Sequence, residues 1–135
     1  MVWTDPRRGN DMTIKDAAAQ SGLSVDTIRF YEKAGMLPRI RRDGRGWRLF
    51  DKDVLDWLCD LERLRATGMP MAEMRQFATL VHATDAERPG AAAQRLAILE
   101  RHAARLVARQ ADLDACRAYL ARKITIYQRM TGQQT

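Results

Sequence analysis

The feature that most constrains the fold is a long stretch without helix breakers near the C-terminus. No proline or glycine occurs between Gly90 and Gly132, so residues 91–130 are predicted to form one helix about 60 Å long. Two heptad seams run along it, one with Leu96, Ala103, Gln110, Arg117 and Ile124 and the other with Leu99, Leu106, Leu113, Leu120 and Tyr127. An unbroken helix cannot fold back on itself, so this apolar seam requires a second chain. The sequence therefore predicts a homodimer, although the polar residues at two positions weaken the middle of the seam.

Residues 13–50 have the pattern of two short helices joined by a tight turn and followed by a hairpin. A Thr13 cap with Asp16 three residues on predicts the first helix start, and Ser24 predicts the second. Two helices joined in this way can place the second one in the major groove of DNA. The candidate DNA contacts from this unit are Thr13, Ser24, Asp26, Thr27, Arg29 and Tyr31. Of these, Arg29 suits a guanine edge or a phosphate, and the Tyr31 hydroxyl suits a phosphate oxygen.

An arginine-rich segment, PRIRRDGRGWRLF, follows the second helix. Extended residues on both sides of a glycine-rich turn predict a two-stranded wing. Packing explains so dense a cluster poorly, and a projecting cluster of this kind favours contact with phosphate over a merely solvated hairpin. The candidate wing contacts are Arg41, Arg42, Arg45, Gly46 and Arg48.

Beyond the wing, two further helices are predicted, one from Asp51 to Gly68 and one over residues 71–83. Their predicted core residues are Val54, Leu55, Leu58, Leu61, Leu64, Arg65, Met74, Phe77, Leu80 and Val81. His82 and His102 are predicted to be surface residues.

Composition narrows the choice of partner. The chain has 135 residues, 46% of them hydrophobic, which suits one modest domain plus an extension. A net charge of +6 and a pI of about 9.9 favour a polyanionic partner, and DNA is favoured over a membrane because there is no long apolar run. The first residues lack the apolar core of a signal peptide, which predicts a cytoplasmic protein.

The ordered segments IKDAAAQSGLSVDTIRFYEKAGML, the wing pattern R-x-x-x-G-x-R-x-F and the later LRATGMPMAEM resemble the MerR family of bacterial transcription regulators. The resemblance covers almost the whole chain beyond residue 12. Phe30 and Phe50 depart from it, because the family usually has tyrosine at both positions. Each change loses a hydroxyl that could contact phosphate or backbone and keeps a ring for packing.

The resemblance implies a mainly α fold, with a winged helix-turn-helix domain followed by a long dimerisation helix that forms an antiparallel coiled coil. It implies a dimer that binds a pseudo-palindromic promoter site in double-stranded DNA, distorts the DNA in response to a signal, and so acts on RNA polymerase indirectly. The expected organisation is a flexible arm at 1–12, the DNA-binding domain with its linking helix pair at 13–83, a linker at 84–90, the coiled-coil helix at 91–130 and a tail at 131–135.

The effector is not identified by the sequence. Metal-responsive family members carry cysteines at the start of the dimer helix and after it, where this chain reads ERPGAAAQ and RMTGQQT. The drug-binding domain of other members has no counterpart here, so the chain resembles the short-chain branch of the family. Cys59 is the candidate sensor thiol, although the family cysteine aligns near Arg63, and packing is the alternative role for Cys59.

We expect no catalytic residues, no metal site and no cofactor, because neither a paired acid and base nor a phosphate-binding loop is recognisable. The alternative functions are a nonspecific DNA-architectural protein and a coiled-coil interaction protein. The latter explains residues 91–130 but not the arginine-rich wing.

Overall fold

The computed structural model describes residues 12–38, 40–84 and 86–132. Within these ranges it contains five α-helices and one antiparallel pair of short strands. In chain order the elements are α1 (Ile14–Ser21), α2 (Val25–Lys33), β1 (Arg41–Arg42), β2 (Arg48–Leu49), α3 (Lys52–Ala66), α4 (Met71–His82) and α5 (Ala91–Met130). The predicted mainly α fold, with a helix-turn-helix, a wing and a long final helix, is confirmed. The predictions for residues 1–11 and for the last three residues of the tail lie outside the described residues.

The first two helices begin at the predicted capping residues. Thr13 Oγ1 accepts a hydrogen bond from the backbone N–H of Asp16 at 3.2 Å, and the Asp16 carboxylate accepts one from the backbone N–H of Thr13 at 3.3 Å. Ser24 Oγ accepts from the backbone N–H of Thr27 at 3.0 Å. Between the helices, Gly22 has a φ of 76°, a left-handed conformation that glycine adopts without strain. The two helices are thus held in a helix-turn-helix by local hydrogen bonds.

The wing is a hairpin of two-residue strands, in which Arg41 pairs with Leu49 and Arg42 with Arg48. An isolated hairpin of this length is barely stable in water. It is joined to the start of the described chain by two backbone hydrogen bonds of 2.7 Å between Met12 and Phe50. The Phe50 side chain is fully buried, which confirms the packing role predicted for its ring.

Helices α3 and α4 supply much of the hydrophobic core. The predicted core residues that are buried are Val54, Leu58, Leu61, Met74 and Leu80. Those that are only partly buried are Leu55, Leu64, Phe77 and Val81. The core position predicted for Arg65 is wrong, because its side chain is exposed and forms an ion pair with Glu62. Trp57, which was not among the predicted core residues, is buried and donates its indole N–H to the carbonyl of Met36 at 2.7 Å.

The predicted surface position of both histidines is wrong. His82 is half-buried, with its ring edge-on to Trp57 at 5.0 Å and its Nε2 3.3 Å from the Met36 carbonyl oxygen. Burial lowers the pKa of His82, which favours the neutral ring in the folded protein. His102 is only 4% exposed.

The chain divides into two compact units, one ending at Arg95 and the other beginning at Leu96. The second unit consists mainly of α5, and most of its large apolar side chains are exposed, with Ile98 as a buried exception. All members of the two predicted seams are exposed, and the apolar ones are Leu96, Leu99, Ala103, Leu106, Leu113, Leu120, Ile124 and Tyr127. Among the described helices none is long and apolar enough to cross a bilayer.

Candidate nucleic-acid interface

The outward face of α2 carries charged and hydroxyl side chains at the positions predicted to meet DNA. The Asp26 and Arg29 side chains are 95% and 57% exposed, and their closest charged atoms are 3.9 Å apart. An exposed pair at this distance contributes about 0–1 kcal/mol, so it restrains Arg29 only weakly. The hydroxyls of Ser24 and Thr27 lie 2.8 Å apart at the start of the helix. Besides any DNA contact, Ser24 and Thr13 therefore serve as helix caps.

Tyr31 lies on the opposite, inward side of α2. Its side chain is 1% exposed, and its hydroxyl donates to Glu62 Oε2 at 3.0 Å. Arg65 also binds Glu62, and its hydrogen bond lowers the pKa of that carboxyl group. Burial first, and then the Glu62 carboxylate, raise the pKa of Tyr31. The structure thus disagrees with the predicted phosphate contact of Tyr31, because its hydroxyl ties α2 to α3. The neighbouring Phe30 ring is the one turned outward, with 47% of its surface exposed.

The turn of the wing is organised by one carboxylate. Asp43 Oδ1 accepts hydrogen bonds from the backbone N–H groups of Arg45 at 2.8 Å and Trp47 at 3.0 Å. The bond from Trp47 contributes most to lowering the pKa of Asp43. The Arg45 guanidinium lies 4.7 Å from the centre of the Trp47 ring and 3.2 Å from the second Asp43 oxygen. Gly46 completes the turn with a φ of 81°, which disfavours any side chain there.

The wing arginines differ in their surroundings. Arg41 and Arg42 are exposed, and Arg42 Nη1 donates to the carbonyl of Gly46 at 2.9 Å. The Arg48 side chain is 30% exposed, and its Nε lies 2.5 Å from Glu32 Oε1. The geometry therefore presents Arg41 and Arg42 outward and turns Arg48 toward α2.

A groove of about 430 Å³ separates the wing from the first two helices. Its lining residues are Thr13, Ile14, Lys15, Arg29, Gly46, Trp47 and Arg48. Three of these side chains are cationic, and the start of α1 adds the partial positive charge of a helix N-terminus. The exposed Trp47 ring gives the groove a flat apolar wall. This combination suits a negatively charged backbone whose sugars present apolar surface.

Three lining residues of the groove, Ile14, Lys15 and Trp47, were not among the predicted DNA contacts. Lys15 lies in α1, for which only the capping residue Thr13 was predicted as a DNA contact, and Trp47 lies between arginines that were predicted as contacts because of their charge. A signal for Trp47 was present, because a large aromatic residue in a glycine-rich, arginine-rich turn has little core to pack against. Its 58% exposure confirms that it is a surface residue.

The candidate sensor thiol, Cys59, is partly buried in α3, next to the buried Leu58. Cys116 is exposed on α5. Across the described ranges, no group of three or more His, Cys, Asp or Glu side chains is arranged to hold a metal ion.

Family models match most of the chain. One, described as MerR HTH family regulatory protein, matches residues 12–79. A second, described as MerR, DNA binding, matches residues 61–123. Together they span the helix-turn-helix, the wing, the α3–α4 pair and most of α5.

Individual proteins are similar over nearly the same span. An uncharacterized HTH-type transcriptional regulator from Haemophilus influenzae is 33% identical over 119 residues, which cover 87% of this chain and 84% of the relative. The crystal structure of HiNmlR, a MerR family regulator lacking the sensor domain and bound to promoter DNA, has a TM-score of 0.69 and 31% identity, and the match covers 90% of this chain and 94% of that one. The crystal structure of a MerR family regulator from Listeria monocytogenes has a TM-score of 0.71 and 28% identity, covering 87% and 86% of the two chains.

Proposed function

The chain belongs to the MerR family of DNA-binding transcriptional regulators, and we propose that two copies bind a pseudo-palindromic promoter site and distort it in response to a signal. The observation that carries this proposal is the cationic groove between the wing and the helix-turn-helix, with Lys15, Arg29 and Trp47 on its walls. The similarity to a regulator solved on promoter DNA supports the same use of this surface.

Two kinds of contact are assigned to the DNA-binding unit. Arg41, Arg42 and Arg45 on the wing hold phosphates, which gives affinity without sequence preference. Arg29 projects from the exposed face of α2, where its forked guanidinium can bind the O6 and N7 atoms of guanine. Sequence preference therefore depends mainly on α2, and the salt dependence of binding depends mainly on the wing.

We assign the dimer interface to α5. Its exposed apolar side chains follow the two heptad seams over residues 96–127, interrupted in one seam by Gln110 and Arg117, and water contact with these side chains is unfavourable. A second copy that packs antiparallel along the seams covers them and relates the two DNA-binding units by a twofold axis. Twofold symmetry in the protein requires an inverted repeat in the DNA, with half-sites separated by whole helical turns.

The protein acts on RNA polymerase through the shape of the promoter and works in the cytoplasm, where the promoter is. Bending and untwisting a site of this length costs several kcal/mol, on the order of 1–6, which the phosphate contacts of two wings offset. Cys59 remains the candidate residue for an electrophilic effector, and a small-molecule effector of another class would bind elsewhere.

Selection of bound sequences from a random duplex pool tests the proposal. Purified protein is expected to enrich an inverted repeat with one fixed spacing. Enrichment of single half-sites would contradict the dimer. If no sequence is enriched and binding stays uniform and salt-sensitive, the chain is a nonspecific DNA-architectural protein instead. If the protein binds no duplex, the alternative of a coiled-coil interaction protein takes its place.

A further inference from the structure

The ion pair between Arg48 and Glu32 connects the wing to the recognition helix α2. Arg48 lies in β2 and Glu32 in the last turn of α2, and their Nε and Oε1 atoms are 2.5 Å apart. Both side chains are largely shielded from water, at 30% and 22% exposure. Partial burial strengthens such a pair relative to an exposed one, because water screens it less.

The placement of Glu32 is unfavourable for a surface that binds a polyanion. Its negative charge lies close to the groove, since Arg48 lines that groove. In addition, Glu32 Oε2 is buried and has no hydrogen-bond partner within the described part of the chain, a state that costs free energy. These two features raise the free-energy cost of placing a carboxylate here. The ion pair with Arg48 is the contact that offsets this cost.

The wing also needs a contact that fixes its position relative to α2. Its strands are two residues long, and the Met12–Phe50 bridge holds only its base. Arg48 pairs directly with Arg42 across the hairpin, so fixing Arg48 also fixes the strand that carries the outward arginines. The pair with Glu32 is therefore placed to set the angle of the wing relative to α2.

We propose that Glu32 is a positioning residue of the DNA interface: through Arg48 it sets the angle at which the wing meets the DNA backbone. This inference rests on the proposed function. It assigns Arg48 to the attachment of the wing, and it leaves the backbone contacts to Arg41, Arg42 and Arg45.

The substitution Glu32→Gln tests this proposal, because the proposal and simple electrostatics predict opposite changes in DNA affinity. It removes a negative charge beside the DNA, which on electrostatics alone would tighten binding. If Glu32 positions the wing, binding to a duplex selected by the wild-type protein instead weakens, by about fivefold, because the neutral amide oxygen still accepts from Arg48 but lacks the charge that makes the bond about twice as strong. The matched control is Asp60→Asn, which removes an exposed carboxylate of α3 outside the candidate interface and is expected to leave binding within about twofold of wild type.

A double-mutant cycle shows whether Glu32 acts through Arg48. Glu32→Gln and Arg48→Gln are combined in one chain, which leaves no unpaired charge and guards against loss of folding. The double variant is expected to bind like Arg48→Gln alone. Hydroxyl-radical footprinting is expected to show lost protection at the sugars under the wing, with protection under α2 retained.

Three results would overturn the inference. They are binding by Glu32→Gln that is equal to or tighter than wild type, an equal weakening by Asp60→Asn, and losses of affinity at positions 32 and 48 that multiply independently in the double variant. Failure of the proposed function is distinguishable, because the wild-type protein itself would then select no duplex.

Discussion

Replacing Tyr31 with phenylalanine separates a structural role of its hydroxyl from a role in DNA binding. The ring is 1% exposed, and the hydroxyl donates to Glu62 at 3.0 Å. Tyr31→Phe removes only that donor and keeps the ring that packs in the core. Glu62 keeps its ion pair with Arg65. The change therefore tests one hydrogen bond without creating a cavity.

The expected loss of stability is small but measurable. A hydrogen bond to a charged group contributes about 1.5–3 kcal/mol. The Glu62 side chain is 28% exposed and keeps Arg65, so water and Arg65 replace part of the lost interaction, and we expect a loss of about 1 kcal/mol. For a unit of this size that lowers Tm by about 4–8 °C.

Thermal and urea unfolding measure the stability, and fluorescence anisotropy with a selected duplex measures DNA affinity. Tyr31→Phe is expected to be less stable and to bind DNA within about twofold of wild type, under conditions where both are folded. Tyr119→Phe is the matched control, because its ring is 52% exposed on α5, and its stability should not change. Unchanged stability of Tyr31→Phe with about tenfold weaker DNA binding would show that the hydroxyl contacts phosphate after all.

Four further results are expected. Arg42→Ala should weaken binding to all sequences and reduce the slope of log affinity against log salt by about 0.9, measured by anisotropy over a salt series. Trp47→Ala should weaken binding by about tenfold with little change in salt slope, because an apolar wall of the groove is lost. Leu106→Asp combined with Leu113→Asp should give monomers in analytical ultracentrifugation that bind DNA poorly. Because burial lowers the pKa of His82, the unfolded chain takes up a proton first as pH falls through about 6.5; stability should therefore fall below that pH, and fall less in His82→Gln.

Local signals predicted the helix-turn-helix well, because short-range hydrogen bonds determine it. The Thr13 and Ser24 caps, the left-handed Gly22 and the turn around Gly46 all depend on residues within four positions of one another. Such interactions follow directly from the order of residue types. The absence of proline and glycine between Gly90 and Gly132 likewise predicted the bounds of α5.

Contacts between distant residues could not be predicted in the same way. The bonds of Tyr31 to Glu62 and of Trp57 to Met36 join residues 31 and 21 positions apart. Whether a tyrosine at the edge of a helical stripe faces DNA or the core depends on how α3 packs against α2. The sequence showed a polar hydroxyl on the recognition helix, and the position of the Glu62 carboxylate decided its role.

The candidate interface also combines features that the sequence predicted with contacts between distant residues that it could not predict. The sequence identified the arginines of the wing by their density, and the structure presents Arg41 and Arg42 outward as expected. It could not show that Arg48 turns toward Glu32 or that Lys15 lines the same groove as Trp47. Those relations arise where the wing folds back toward α1 and α2.

The central claim is that two copies of the chain bind one inverted repeat through the wing, the groove and α2. Hydroxyl-radical footprinting of the wild-type protein on a selected duplex tests it most directly. We predict two sets of protected sugars related by a twofold axis, each with an inner part under α2 and an outer part under the wing. A single protected set, or uniform protection along the duplex, would contradict the claim.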